Sequence, residues 1–261
     1  MDLALKGKTA LITGGSRGIG LATARVLAGE GCNLHLVATD ADRLAAAKAE
    51  LEQTFATSIS TTAANLATTD GVNAAAADCP LPDILINNAG AIPSGHLTDV
   101  DEATWRDAWD LKVFGFINMC RDYYTRFRDR GYGTIVNVIG MAGENPDAAY
   151  IAGSTGNAAL MTFTRTLGGT SLADNIRVVG VNPGAVLTDR IEGKFRDIAA
   201  ADLGDAERWR ELMQFLPLER AAHPRELADT VAFLASERAS YISGTIVTVD
   251  GGHASKNSSF R

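Results

Sequence analysis

Short apolar runs recur along the chain at Thr9–Thr13, Asn33–Thr39, Ser58–Leu66, Asp83–Asn87, Gly133–Ile139, Ile176–Val181 and Thr245–Val249. Two of them, around Leu85–Asn87 and Ile135–Ile139, are apolar almost throughout, as strands buried on both faces should be. Between the runs lie helical patterns at Gly18–Gly29, Asp40–Phe55, Thr69–Ala77, Asp101–Arg128, Ala148–Leu172 and Arg225–Leu234. Strand alternating with helix predicts an α/β fold: a doubly wound parallel sheet of about seven strands with helices on both faces. No Pro/Ser linker and no repeat divides the chain, so residues 1–261 read as one domain. Residues 187–217 are the largest interruption of the alternation and read either as a lid over a site or as a surface insertion. The polar stretch 253–261 reads as a frayed tail.

The first strand runs into Thr13-Gly14-Gly15-Ser16-Arg17-Gly18-Ile19-Gly20, and a helix opens there. Glycines at such a strand–turn–helix junction allow a tight turn, close approach of a pyrophosphate and contact of helix with strand. The helix N-terminus adds unpaired N–H groups and partial positive charge. The context points to dinucleotide binding; taken alone, the octet could be a tight βα turn.

Composition narrows the reading by exclusion. The net charge of −7 argues against nucleic acid and anionic membrane as partners. No apolar run approaches the ~18 residues of a membrane span, and Met1–Lys6 does not resemble a signal peptide. Three scattered cysteines suit reduced thiols in a cytoplasmic protein. The four histidines show no ligand spacing, so no metal is expected. Lysine is scarce, with six residues at 6, 8, 48, 112, 194 and 256.

At this point the sequence resembles the short-chain dehydrogenase/reductase family. The turn at 13–20 matches that family's TGxxxGxG, and Asn87-Asn88-Ala89-Gly90 its NNAG. Asn182-Pro183-Gly184 with Thr188 resembles its PGxxxT, and Phe233–Ser236, Ile242–Gly244 and Val249–Gly252 its C-terminal signature. The resemblance covers residues 5–252 and implies a Rossmann-like sheet, NAD or NADP, and hydride transfer between a small-molecule carbonyl and an alcohol. It also implies a homotetramer or homodimer. It assigns cofactor contacts to Gly14, Ser16, Arg17, Gly18, Ile19 and Gly20, to Asn88, Ala89 and Gly90, and to Pro183, Gly184, Val186 and Thr188. Asn65 and Leu66 match the family's adenine-contacting pair, with Asn for Asp. In the family an Asp at the end of the second strand selects NAD, and an Arg one residue later favours NADP. Here Ala38 and Thr39 stand there, followed by Asp40. Arg17 and Thr39 suit a 2′-phosphate, Asp40 facing the ribose would suit NAD, and the balance leans to NADP.

The family's chemistry rests on Asn, Ser, Tyr and Lys. In ungapped register from Gly133 to Leu167 the Ser, Tyr and Lys positions carry Gly140, Gly153 and Asn157, and on the long helix the stretch Trp109–Gly115 places Lys112 at the Asn position. Lys and Asn are exchanged between two helices that should pack together, and Lys112 is the only lysine between 48 and 194. On the apolar stretch Leu111–Phe116, burial would pull its pKa down toward neutrality and suit it to proton donation. The alternative is a snorkelling lysine. Tyr150 is a second acid candidate. Treated as helical, it lies about 4.5 Å nearer the N-terminus than residue 153 and leans away from the reaction centre, which favours a pocket-lining role. Ser154 reads as an ordinary helix residue. Glycine at 140 and 153 predicts an enlarged pocket. Three functions stay open: an oxidoreductase using Lys112, Asn157 and Tyr150, a catalytically inactive dinucleotide sensor or partner subunit, and non-redox lyase-type chemistry.

Overall fold

The computed structural model describes residues 1–255; of the expected tail, 256–261 lie outside the described residues. The strands are β1 (Thr9–Thr13), β2 (Asn33–Ala38), β3 (Ile59–Ala63), β4 (Ile84–Asn87), β5 (Gly133–Val138), β6 (Ile176–Pro183) and β7 (Ile246–Val249). They form one parallel sheet in the order β3-β2-β1-β4-β5-β6-β7. Every residue of β4 and β6 is buried, which is why those segments carry no polar alternation.

Helices cover both faces. Leu27 of α1 (Gly18–Gly29), Leu44 and Leu51 of α2 (Ala41–Thr54), and Leu227 and Val231 of α8 (Pro224–Ala235) pack against Ile12, Leu36 and Val179. On the other face, Val72 of α3 (Thr69–Asp78) and Met119, Tyr123 and Phe127 of α5 (Gly115–Arg130) meet Leu11, Leu85 and Val178. The order reverses beside β1, where β4 becomes its second neighbour. At that switch point the loops leaving the two strands diverge to opposite faces and open a crevice.

The long helix expected over 101–128 is broken. α4 (Glu102–Trp109) passes into a π-helical turn, Asp110–Phe114, before α5 begins. The Gly115 N–H reaches back five residues to the Asp110 carbonyl, and the widened turn buries Lys112 and Val113 while leaving Phe114 half exposed. The helix expected over 148–172 is shorter: α6 spans Ile151–Gly168, and a 3-10 turn takes Ser171–Asp174. Residues 187–217 hold α7 (Asp189–Leu203) and a 3-10 segment, Ala206–Met213, closed over their own core of Ala199, Trp209 and Met213. Among the described residues no helix is long and apolar enough to cross a membrane.

Candidate active site

The carboxyl ends of β1 and β4 are tied together by one hydroxyl. Thr13 Oγ1 accepts the N–H groups of Asn88 at 2.9 Å and Ala89 at 3.0 Å, while Asn88 Nδ2 donates back to the Thr13 carbonyl at 3.0 Å. The glycine turn sits on this brace. A side chain at Gly20 would overlap the Gly14 carbonyl, so helix and turn touch only because 20 is glycine. Gly18 has φ +57° and faces the Thr188 methyl at 3.3 Å from a Cβ position, which brings the turn against the 183–188 segment. No side chain caps the start of α1. Its first-turn N–H groups therefore keep no side-chain partner, as a pyrophosphate cradle requires. From the other side, Gly184 N–H is held by the Val249 carbonyl and Thr188 caps α7 through Ile191 N–H.

Lys112 lies under this crevice. It is 7% exposed, Nζ donates to the Val138 carbonyl at 2.8 Å, and the ammonium stands 4.2 Å from the Phe116 ring centre. It has no carboxylate partner, so burial, helped by the positive charge of Arg190, pulls its pKa from 10.5 to about 7. Within this chain the ammonium ends on the Val138 carbonyl rather than in solvent. Its methylenes cross the space above Gly90, where any side chain would overlap them.

Asn157 is buried on α6, and its Oδ1 has no hydrogen-bond partner. Gly140, at φ +149°, lies across from it. A Cβ there would stand 2.8 Å from Asn157 Nδ2, so a serine would meet both strain and a clash. The π turn reaches α6 at the same level. Trp109 Nε1 donates to the Ala152 carbonyl at 3.0 Å, and Val113 borders Gly156.

Tyr150 departs from its expected geometry. It is the residue before α6, with φ −139° and ψ 39°, so helical spacing does not apply to it. Its ring turns back over Gly153 and fills the volume that a side chain there would need. The enlarged pocket expected at 153 is thus occupied by this ring, which packs with Ile92, Ala108 and Ala152. Burial raises the phenol pKa, against an opposing pull from Arg190. Ser154 is not an ordinary helix residue either. It is buried, and Oγ accepts the Asp147 N–H at 3.0 Å, pinning the loop that delivers Tyr150.

The family model described as short chain dehydrogenase matches residues 8–199. The chain belongs to this family. It is 34% identical over 247 residues to the uncharacterized oxidoreductase YmfI of Bacillus subtilis, covering 94% of this chain and 98% of that protein. It is 34% identical to the cis-4-hydroxycyclohexanecarboxylate dehydrogenase of Sinomonas cyclohexanicum, over 97% of this chain and 99% of that enzyme. Among solved structures it resembles the L-sorbose reductase of Gluconobacter frateurii complexed with NADPH and L-sorbose. The TM-score is 0.93 and the identity 33%, over 98% of this chain and all of that one.

Within the short-chain dehydrogenase frame, the residues after β2 and β3 separate. Asp40 caps α2: Oδ1 accepts Arg43 N–H at 3.0 Å, and Oδ2 pairs with Arg43 Nε at 3.1 Å. Thr39 and Arg17 stay exposed. Leu66 is buried in the core, whereas Asn65 is exposed and holds the turn through Ala67 N–H. Ser16 and Ile19 line the turn half-buried, Pro183 closes β6, and Val186 is buried beside Ala222.

Two contributors were not found by sequence reasoning. Arg190 acts on both Lys112 and Tyr150 from the first turn of α7. Lys194, one turn on, donates to Ser94 Oγ at 3.1 Å and ties α7 to the loop after β4. Both belong to the stretch where the α/β alternation fails, and no local signal distinguishes them from surface cations.

Proposed function

We propose that the protein is an NAD(P)-dependent oxidoreductase of small-molecule carbonyls and alcohols, in which Lys112, Asn157 and Tyr150 do the work of the family's usual residues. One observation carries this reading. Each of the three side chains packs where the Cβ of a facing glycine would stand: Lys112 above Gly90, Asn157 against Gly140, and Tyr150 over Gly153. Gly140 and Gly153 stand where the family keeps side chains, and a site decaying without function has no reason to keep both of these matched to a filling neighbour. The glycine turn, its brace at Thr13 and the uncapped α1 fit a dinucleotide, and a relative of 33% identity was solved with NADPH.

The dinucleotide, when bound, supplies or accepts the hydride. The chain must then manage one proton on the substrate oxygen. With a pKa near 7, Lys112 can hold or release it at Nζ around neutrality, through a water that bridges to the substrate oxygen. The unpartnered Asn157 Oδ1 offers an acceptor to that water or to a hydroxyl. Tyr150 stays a neutral phenol and orients the oxygen as a donor. α7, latched to the loop after β4 by Lys194, serves as the lid.

The cofactor preference leans to NADP, because Asp40 is engaged with Arg43 and leaves Arg17 and Thr39 to meet a 2′-phosphate. Arg17→Ala should weaken NADPH binding by about 10- to 100-fold, the loss of one charge-assisted contact, while NADH binding changes little. Equilibrium titration with both nucleotides checks this.

NADPH oxidation with a panel of sugar ketones, cyclic ketones and oxo acids tests the reading as a whole. Turnover of at least one carbonyl well above background is expected, and none across the panel would overturn it. In the reducing direction the rate should fall as pH rises through about 7, as Lys112 loses its proton. Arg190→Gln removes a positive neighbour, so the fall should move to higher pH. A profile fixed in place would remove Lys112 as the proton source.

A further inference from the structure

Away from the crevice, on the α3 face of the sheet, a serine, a histidine, a threonine and an aspartate form a directed chain. His35 of β2 is 2% exposed. Its Nδ1 lies 2.7 Å from Ser60 Oγ and its Nε2 2.8 Å from Thr62 Oγ1, while the Thr62 hydroxyl donates to Asp78 Oδ2 at 2.6 Å. The parallel register sets His35 beside Ser60, and Thr62 two residues on points to the same face.

The direction of each bond follows from proton counting. A carboxylate only accepts, so Thr62 spends its single proton on Asp78 and must accept from His35 Nε2–H. Buried in apolar surroundings, the ring is neutral near pH 7, its pKa pulled below the ordinary 6.5 by burial, with Asp78 opposing. Its other nitrogen, Nδ1, is then a lone-pair acceptor, and at 2.7 Å it competes for the Ser60 hydroxyl proton with the Leu34 carbonyl at the longer 3.4 Å. Ser60 at one end and Asp78 at the other are exposed residues whose hydrogen bonds into the chain are part-buried. Nucleophile, base and orienting groups thus stand in hydrogen-bond reach in the order that activates a serine.

The strand supplies one more element. β3 is an edge strand, and Ser58 and Ala64 pair with β2 through Leu34 N–H and the Ala38 carbonyl. In a parallel ladder alternate residues bond to the neighbour, so the amide of Thr61, next to the serine, faces the open edge. An amide there can stabilise an oxyanion on a group attached at Ser60.

We propose that Ser60 is a nucleophile toward activated acyl esters and thioesters, with His35 as its base and Thr62 and Asp78 as positioning residues. Ser60 Oγ bonds to the acyl carbon while the bond to the leaving oxygen or sulfur breaks. The serine proton moves to His35 Nδ1 and on to the leaving group, and water later hydrolyses the seryl ester. The neighbours of the ring on β1 and β3, Leu11 and Ser60, carry no charge, and Asp78 from α3 is the charged group acting on it.

The test is acylation of the full-length protein by p-nitrophenyl acetate, with release followed in solution and the adduct located by peptide mass mapping. An acetyl group on Ser60, absent in Ser60→Ala, is expected. The rate should climb with pH to a plateau through a pKa below 6.5. His35→Gln should slow Ser60 acylation at least tenfold, within the range of general-base catalysis. Because the buried ring also supports β2, the exposed Asp78→Asn provides a second variant. It should slow acylation and shift the pH profile down, as loss of the carboxylate lowers the His35 pKa further. Acetyl groups confined to lysines and the N-terminus, or Ser60 acylation unchanged in rate and pH profile in Asp78→Asn, would overturn the proposal.

Discussion

Replacing Lys112 with Met is expected to cut turnover by about 10²- to 10⁴-fold while raising the melting temperature. The two effects come from one cause. A buried ammonium bonded to a single carbonyl and facing an aromatic ring, with no carboxylate, is costly to the fold and useful to proton transfer. Methionine has similar length and volume, so it keeps the contact above Gly90 and removes the charge. Removing a buried charge in this way is worth about 1–4 kcal/mol, or roughly 2–4 °C for each kcal/mol in a chain of this size.

The gain depends on pH with a definite sign. The Lys112 pKa is about 7 in the fold and 10.5 in its ordinary state. Between those values the unfolded chain binds the extra proton, so wild-type stability rises with pH from 7 to 10.5 and is lowest below 7. The advantage of the Met variant should therefore be largest in melts near about pH 6 and smaller near about pH 9.5. NADPH affinity should stay within a few-fold, because Nζ is bonded to β5 and not to the glycine turn. Undiminished turnover would end the assignment of Lys112, whatever the melts show.

Gly153→Ala is expected to displace the Tyr150 ring, which lies where the new methyl must go. Overpacking of this kind costs about 1–3 kcal/mol. If the phenol orients the substrate oxygen, an ångström of displacement lowers turnover by about a hundredfold. A double-mutant cycle separates packing from chemistry. Tyr150→Ala should restore the stability of Gly153→Ala without restoring its activity, and Tyr150→Phe should keep the fold while losing the hydroxyl. Independent, additive effects at 150 and 153 would show that the ring and the glycine are not paired.

Much of the fold was legible locally. The central strands could be read because buried parallel strands are apolar without alternation, the half-buried β3 and β7 by their place in the strand–helix alternation, and the glycine turn because its backbone needs are met within eight residues. The boundaries that moved did so for tertiary reasons. The break at 110–114 widens the helix to carry Lys112 inward, and α6 starts at Ile151 because Ser154 fixes the preceding loop through Asp147. Asp40 could have faced a ribose or capped α2, and the local choice went to the cap. The relay at His35 left no signature, since its members come from two strands and a helix separated by up to 43 positions between His35 and Asp78.

By itself, the sequence determined that this chain builds a doubly wound sheet with a dinucleotide turn, and that no Tyr-x-x-x-Lys pair exists between residues 113 and 193. Periodicity and turn chemistry are short-range and survive in one dimension. Only the tertiary structure decided what fills the spaces at Gly90, Gly140 and Gly153, because each is filled by a side chain whose path depends on packing: Lys112, Asn157 and Tyr150. A glycine in a sequence marks missing volume. Which neighbour claims it, and whether it does so charged, neutral or unpartnered, is set by burial and by contacts across the sheet.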